Sequence, residues 1–132
     1  MVMTDPVADL LTRIRNAARA GHEKADAPHA KIKEEIARIL KDEGFIANYR
    51  VIDEKPRPIL RVYMRYGPDK SSVLRRIERV SRPGRRVYAA KDNLPRVVGG
   101  LGVAVLSTSQ GILTDRECKK RGIGGEVLLR AW

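Results

Sequence analysis

Apolar residues change their spacing several times along the chain, and each change marks an element. From Val7 they follow a helical period: Val7, Leu10, Leu11, Ile14 and Ala18 fall on one face, with Arg13, Arg15, Asn16 and Arg19 off it. Asp5 is placed to cap the first free amides, Pro6 suits the first helical position, and Gly21 offers a stop. Residues 22–29 have no period and read as a polar connector. The helical period returns over about 30–42, with Ile32, Ile36, Ile39 and Leu40 inward, Lys31, Lys33, Glu34 and Glu35 outward, and Gly44 closing the helix. Alternation then takes over. Residues 45–52 read as a strand, 53–58 as a turn and 59–66 as a second strand, in which Leu60, Val62 and Met64 oppose Arg61, Tyr63 and Arg65.

Gly67-Pro68-Asp69-Lys70-Ser71-Ser72 is the strongest break in the pattern. Beyond it, Val73, Ile77 and Val80 fit a helix. The β-branched content and the Ser-Arg-Pro-Gly turn that follows favour a strand over 73–81, continued over 85–89 as a hairpin. Residues 92–95 form another turn. The unbroken run Val103-Ala104-Val105-Leu106 predicts a buried strand over 102–107. That strand delivers Ser107, Thr108 and Ser109 to a glycine turn at Gln110-Gly111. Thr114 and Glu117 have the spacing of a capping box for a short helix ending at Gly122, and 126–131 is a last strand. The expected fold is α+β in two small lobes. Residues 1–66 hold two helices and a β-hairpin, 67–72 a linker, and 73–132 a mostly β lobe around one short helix.

Charge gives the pattern a partner. The 132 residues carry 27 Lys and Arg against 16 Asp and Glu, a formal net charge of +11. It is denser in the C-terminal part: residues 82–132 hold 10 basic and 4 acidic residues, against 17 and 12 in residues 1–81. A polyanion is the expected partner, nucleic acid before an anionic membrane surface. The single cysteine, Cys118, excludes an intrachain disulfide and a cysteine metal cluster. With no signal or membrane-spanning pattern, a cytoplasmic setting is expected.

Catalytic patterns are missing. Ser107 and Ser109 lack a nucleophile-elbow context. Gly100-Leu101-Gly102 lacks a third glycine and leads into a strand, so it is no dinucleotide loop. His22 and His29 have no third metal ligand nearby. Cys118 sits beside Lys119, Lys120 and Arg121, which would lower a thiol's pKa, or it is a small packing residue. A binding surface fits better, with no cofactor and no metal. Adjacent hydroxyls and turn amides hydrogen-bond to phosphates, sugars and base edges. Arg85, Arg86, Lys91, Arg96 and the 119–121 run neutralise phosphate, and Tyr88 is available to stack on a base. Lys31 and Lys33 at a helix start oppose the helix dipole, which suggests an anionic neighbour. Glu126 either accepts a bond from a base amino group or sugar hydroxyl, or pairs internally with an arginine. The absence of a recognition-helix pattern favours RNA over DNA.

Several segments carry a resemblance. They include Thr4-Asp5-Pro6, Leu11-Thr12-Arg13-Ile14-Arg15-Asn16-Ala17, Lys33-Glu34-Glu35-Ile36 and Glu43-Gly44-Phe45-Ile46. Further on come Ser81-Arg82-Pro83-Gly84-Arg85-Arg86-Val87-Tyr88 and Leu94-Pro95-Arg96-Val97. The last are Ser107-Thr108-Ser109, Thr114-Asp115-Arg116 and Gly124-Gly125-Glu126. In this order they resemble the bacterial small-subunit ribosomal protein number eight, the S-eight family, nearly end to end. The resemblance implies a primary rRNA-binding protein that docks on the central domain of 16S rRNA and directs its assembly. It also implies repression of translation from its own operon mRNA in some bacteria, and ribosomal proteins numbers five and twelve as neighbours. It assigns RNA contacts to Ser107, Thr108, Ser109, Glu126 and Tyr88, with Gln110, Arg85 and Arg86 beside them. In the first lobe it assigns them to the start and basic face of the first helix: Thr4, Arg13, Arg15 and Asn16. Lys31, from its place at the start of the second helix, is a further candidate for RNA contact. The family commonly has lysine where this chain has Gln110, which puts one phosphate contact in question.

Overall fold

A computed structural model describes residues 5–132, so Thr4 lies outside the described residues. They form two compact units, the first ending at Arg75 and the second spanning Arg76–Trp132. The Gly67–Ser72 break is a turn folded on the first unit: Gly67 N–H donates to the Ser71 carbonyl at 2.8 Å and Val73 N–H to that of Arg65 at 3.0 Å.

In the first unit, helix α1 (Pro6–Ala20) is followed by strand β1 (Lys24–Pro28), helix α2 (Lys31–Asp42) and strands β2 (Ile46–Ile52) and β3 (Ile59–Met64). Helix α1 begins where the Asp5 carboxylate accepts the Ala8 N–H at 3.1 Å, and it ends at left-handed Gly21. Its buried face is Val7, Leu10, Leu11, Ile14 and Ala17; Ala17 is the i+3 neighbour of Ile14 and takes the place expected of Ala18, which is half-buried. The sheet order is β1-β3-β2, all antiparallel. Leu60, Val62 and Met64 point into the core as their alternation requires.

Two expectations are corrected here. Residues 24–28 are a strand, not a connector. Local propensity for extended structure is low, but pairing with β3 supplies it: Asp26 lies opposite Arg61 and accepts its Nε and Nη2 at 2.8 and 3.0 Å, while Ala27 is buried. The Arg61 bond, opposed by burial, holds the Asp26 carboxyl below the usual range. Lys33 is likewise buried rather than outward. Its Nζ donates to the Pro28 carbonyl at 3.0 Å and to Asp9 Oδ2 at 3.3 Å, so it joins α2, the end of β1 and α1.

The second unit contains β4 (Ile77–Arg79), β5 (Tyr88–Ala89), β6 (Val103–Thr108), β7 (Gly111–Thr114), α3 (Asp115–Arg121) and β8 (Gly125–Ala131). The order is β4-β8-β6-β7, and β5 also pairs with β8. The expected hairpin between 73–81 and 85–89 does not form. Ile77–Arg79 pairs with Ala131–Leu129, Val80 and Ser81 donate to the Leu128 and Val127 carbonyls, and Tyr88–Ala89 then pairs with Glu126–Gly125. Both segments thus run in one direction along the same edge of β8. The intervening turn, closed by reciprocal Arg82–Arg85 backbone bonds of 2.9 and 3.0 Å, is an excursion from a single interrupted strand. Strand β7 was also not expected, because Ile112-Leu113 is too short a run to announce one.

One core cluster of this unit is Val97, Ala104, Leu106, Cys118 and Val127; Val103, Val105 and Leu129 are fully buried as well. Thr114 caps α3 by accepting the Glu117 N–H at 3.1 Å; the Glu117 carboxylate pairs with Arg121 instead of completing a capping box. Asp115 is buried and accepts the Ala104 N–H at 3.0 Å, and Arg116 reaches the Gly102 carbonyl at 3.5 Å. Thr114-Asp115-Arg116 therefore docks the helix onto β6.

Lys33→Ala is expected to destabilise the protein by about 1–3 kcal/mol in urea unfolding, because it removes a buried ammonium that donates to the Pro28 carbonyl and to Asp9. Lys31→Ala, on the exposed side of the same turn, is expected to stay within about 0.5 kcal/mol.

Candidate nucleic-acid interface

Strand register brings the C-terminal candidates together. Ser107 on β6 pairs with Glu126 on β8, and Glu126 pairs on its other side with Tyr88 on β5. Directly paired residues project from the same face of a sheet. Leu106 and Val127, the adjacent pair, face the core with Cys118, so Ser107, Glu126 and Tyr88 form one transverse row on the opposite face. Tyr88 is 70% exposed.

The glycines before Glu126 make this closeness possible. A Cβ at Gly124 would lie 2.1 Å from the Ala89 carbonyl oxygen, and one at Gly125 would lie 2.3 Å from that of Ser107. Both clashes are with backbone, so any side chain there would push β5 or β6 off β8.

Glu126 is held from two sides. The fully buried Ser81 donates its hydroxyl to Oε2 at 2.5 Å while accepting the Val87 N–H at 3.1 Å, and Arg86 Nη1 donates to the same Oε2 at 3.0 Å. Burial opposes ionisation, but the Ser81 bond, the Arg86 bond and charge, and the charge of Arg79 outweigh it and hold the carboxyl below the usual glutamate range. The internal ion pair left open by the sequence is therefore present. It neutralises an acid whose side chain is 18% exposed in a basic unit, and Oε1 takes neither bond. Ser81 is the member of this cluster that sequence reasoning missed; its place immediately before Arg82-Pro83-Gly84, at the break in the edge strand, was the available signal.

The β6–β7 hairpin carries the remaining candidates. Thr108 pairs with Gly111 across a two-residue tip, Ser109-Gln110. The Thr108 hydroxyl accepts the Gln110 N–H at 3.0 Å and donates to the Gly111 carbonyl at 2.8 Å, so it is engaged within the turn. Ser107 is half-buried and Ser109 exposed. Gln110 Oε1 accepts from Arg121 Nη1 at 3.0 Å. Arg85 is exposed on the turn beside Arg86.

The first-unit candidates are a separate group. Arg13 is engaged: its Nε donates to both Asp9 oxygens at 3.1 Å and its Nη1 to the Asp26 carbonyl at 2.9 Å. Asn16 and Lys31 are exposed and Arg15 is half-buried. On the strand face, Arg61 is engaged with Asp26, and Arg65 donates to the Gly44 carbonyl at 2.9 Å.

Cys118 is fully buried, and desolvation, reinforced by Asp115 and Glu117, pushes its thiol up. The basic neighbours do not activate it, and it packs as a small apolar residue. Among the described residues there is no group of three or more His, Cys, Asp and Glu able to hold a metal, and no helix long and apolar enough to cross a membrane.

The net charge of +11 and the polar, acid-neutralised strand row are features of a binding surface. Comparison with known proteins narrows the class. The profile of the family described as "Ribosomal protein S8" matches residues 5–132. Proteins named "Small ribosomal subunit protein uS8" from Acidobacterium capsulatum, Caldicellulosiruptor bescii and Geobacillus kaustophilus are each 54% identical to the chain over 132 residues, covering all of both sequences. The chain belongs to the ribosomal protein S8 family, whose members are structural components of the ribosome and not enzymes.

Because its folded pKa is lowered, Glu126 contributes stability that is full above its unfolded value and is lost as the pH falls through the folded value. Wild type is expected to exceed Glu126→Gln in unfolding free energy by most near pH 7, with the gap closing at acid pH. Urea melts at a series of pH values check this.

Proposed function

We propose that the protein is a primary rRNA-binding protein of the small ribosomal subunit, and that its second unit reads an irregular site in the central domain of 16S rRNA and directs assembly there. The observation that carries this reading is the row Ser107–Glu126–Tyr88, in which a glutamate already compensated by Arg86 lies between a hydroxyl and an exposed aromatic ring. Such a row suits splayed RNA. The ring stacks a base, the hydroxyl contacts sugar or phosphate, and the carboxylate accepts from a base amino group or a 2′-hydroxyl. Ser109 contacts the RNA from the hairpin tip, and Thr108 acts through the turn it closes. Arg85 supplies phosphate contact. Asn16, Arg15 and Lys31, with Thr4, add contacts from the first unit, where Arg13 serves to fix α1 against β1.

The same surface would serve an mRNA that presents the same shape, so repression of its own operon belongs to this reading. Contacts with ribosomal proteins numbers five and twelve belong to it through the family resemblance.

Binding of the full chain to a central-domain rRNA fragment tests the reading. Ser107→Ala, Ser109→Ala and Glu126→Ala are each expected to cost about 1–3 kcal/mol, and Tyr88→Ala a similar amount. Arg85→Ala is expected to lower the salt slope by about one. Equal affinity of the wild type for this fragment and for an unrelated hairpin of the same length would overturn it.

A further inference from the structure

The hairpin tip, Ser109-Gln110, carries no charge of its own, yet a cation is fixed beside it. Arg121, the last residue of α3, donates Nε to Glu117 Oε1 at 3.0 Å and Nη1 to Gln110 Oε1 at 3.0 Å. A guanidinium has five N–H donors, so three remain after these bonds, and the side chain is 40% exposed. Gln110 is itself anchored, because its backbone N–H donates to the Thr108 hydroxyl, which closes the turn. Chain and helix thus hold the guanidinium at a set place relative to Ser107 and Ser109. Planar, oriented donors of this kind suit a phosphate oxygen pair, and a side chain already ordered loses less entropy on binding.

We infer that Arg121 is the phosphate-contacting cation of the β6–β7 tip, that Gln110 is the residue that positions it, and that the ligand is the phosphodiester beside the bases read by the strand row. A lysine at 110 would supply its own charge and repel Arg121. A glutamine instead brings the arginine to the tip. The inference rests on the RNA-binding reading and singles out, from the basic 119–121 run, the cation tied to the hairpin tip.

The test measures affinity of the full chain for the central-domain rRNA fragment across a salt series. Arg121→Ala is expected to weaken binding about five- to tenfold at moderate salt and to lower the salt slope by about one. Gln110→Ala is expected to weaken binding less, since it loosens the arginine without removing it. In a Gln110→Lys background, Arg121→Ala is expected to change affinity less than about twofold, because the lysine has replaced the contact. Unchanged affinity and slope in Arg121→Ala, while Ser107→Ala still weakens binding, would overturn the inference and leave the RNA reading standing. Equal losses from Arg121→Ala with glutamine or lysine at 110 would overturn the positioning role of Gln110. Failure of the wild type to prefer the fragment would overturn the RNA reading itself.

Discussion

Backbone contact around β8 is the constraint on which the second unit depends. Strands β5 and β6 approach so closely at Gly124 and Gly125 that no side chain fits at either position. The residue that follows, Glu126, is thereby set between Ser107 and Tyr88. The edge strand breaks opposite Val127, where Ser81 ends one pairing segment and Val87 begins the next, and the Ser81 hydroxyl spans that break to reach Glu126. One short stretch, Gly124-Gly125-Glu126, therefore sets both the packing of three strands and the chemistry of the face they present.

The acidic residues mainly organise the basic ones. Asp9 receives Arg13 and Lys33, Asp26 receives Arg61, Glu117 receives Arg121, and Glu126 receives Arg86. Exposed pairs of this kind add little stability one by one. Their effect here is geometric: they fix the direction of long side chains that would otherwise sample many rotamers. Cations without such a tether, among them Lys31 and Arg85, are exposed and are placed to supply charge rather than shape.

Elements with strong periodicity or caps were legible in the sequence. The buried stripe of α1, its Asp5 cap and Gly21 stop, the alternation of β3, the buried run of β6 and the Thr114 cap all appear where the residues place them. What was not legible depends on partners distant in sequence. Strand β1 has the composition of a loop and becomes a strand by pairing with β3 and by the Asp26–Arg61 bond. Lys33 looks like a surface lysine until α1 brings Asp9 to it. Residues 73–81 and 85–89 have strand character, but local pattern does not show that their pairing partner is β8 and not each other. In the interface, the hydroxyl run, Tyr88 and Glu126 were visible as residue types. The tether of Glu126 to Ser81, the engagement of the Thr108 hydroxyl within its turn and the attachment of Arg121 to Gln110 became visible only in three dimensions.

The central claim is that one strand row and the adjacent hairpin tip form the RNA-reading surface. Titration of ¹⁵N-labelled protein with a central-domain rRNA fragment, followed by amide chemical shifts, tests it most directly. The expected result is a set of large shifts at Tyr88, Ser107, Ser109, Gln110 and Glu126, with the core amides of Ala104, Leu106 and Val127 little changed. Saturating RNA that leaves those five amides unmoved while shifting others would contradict it.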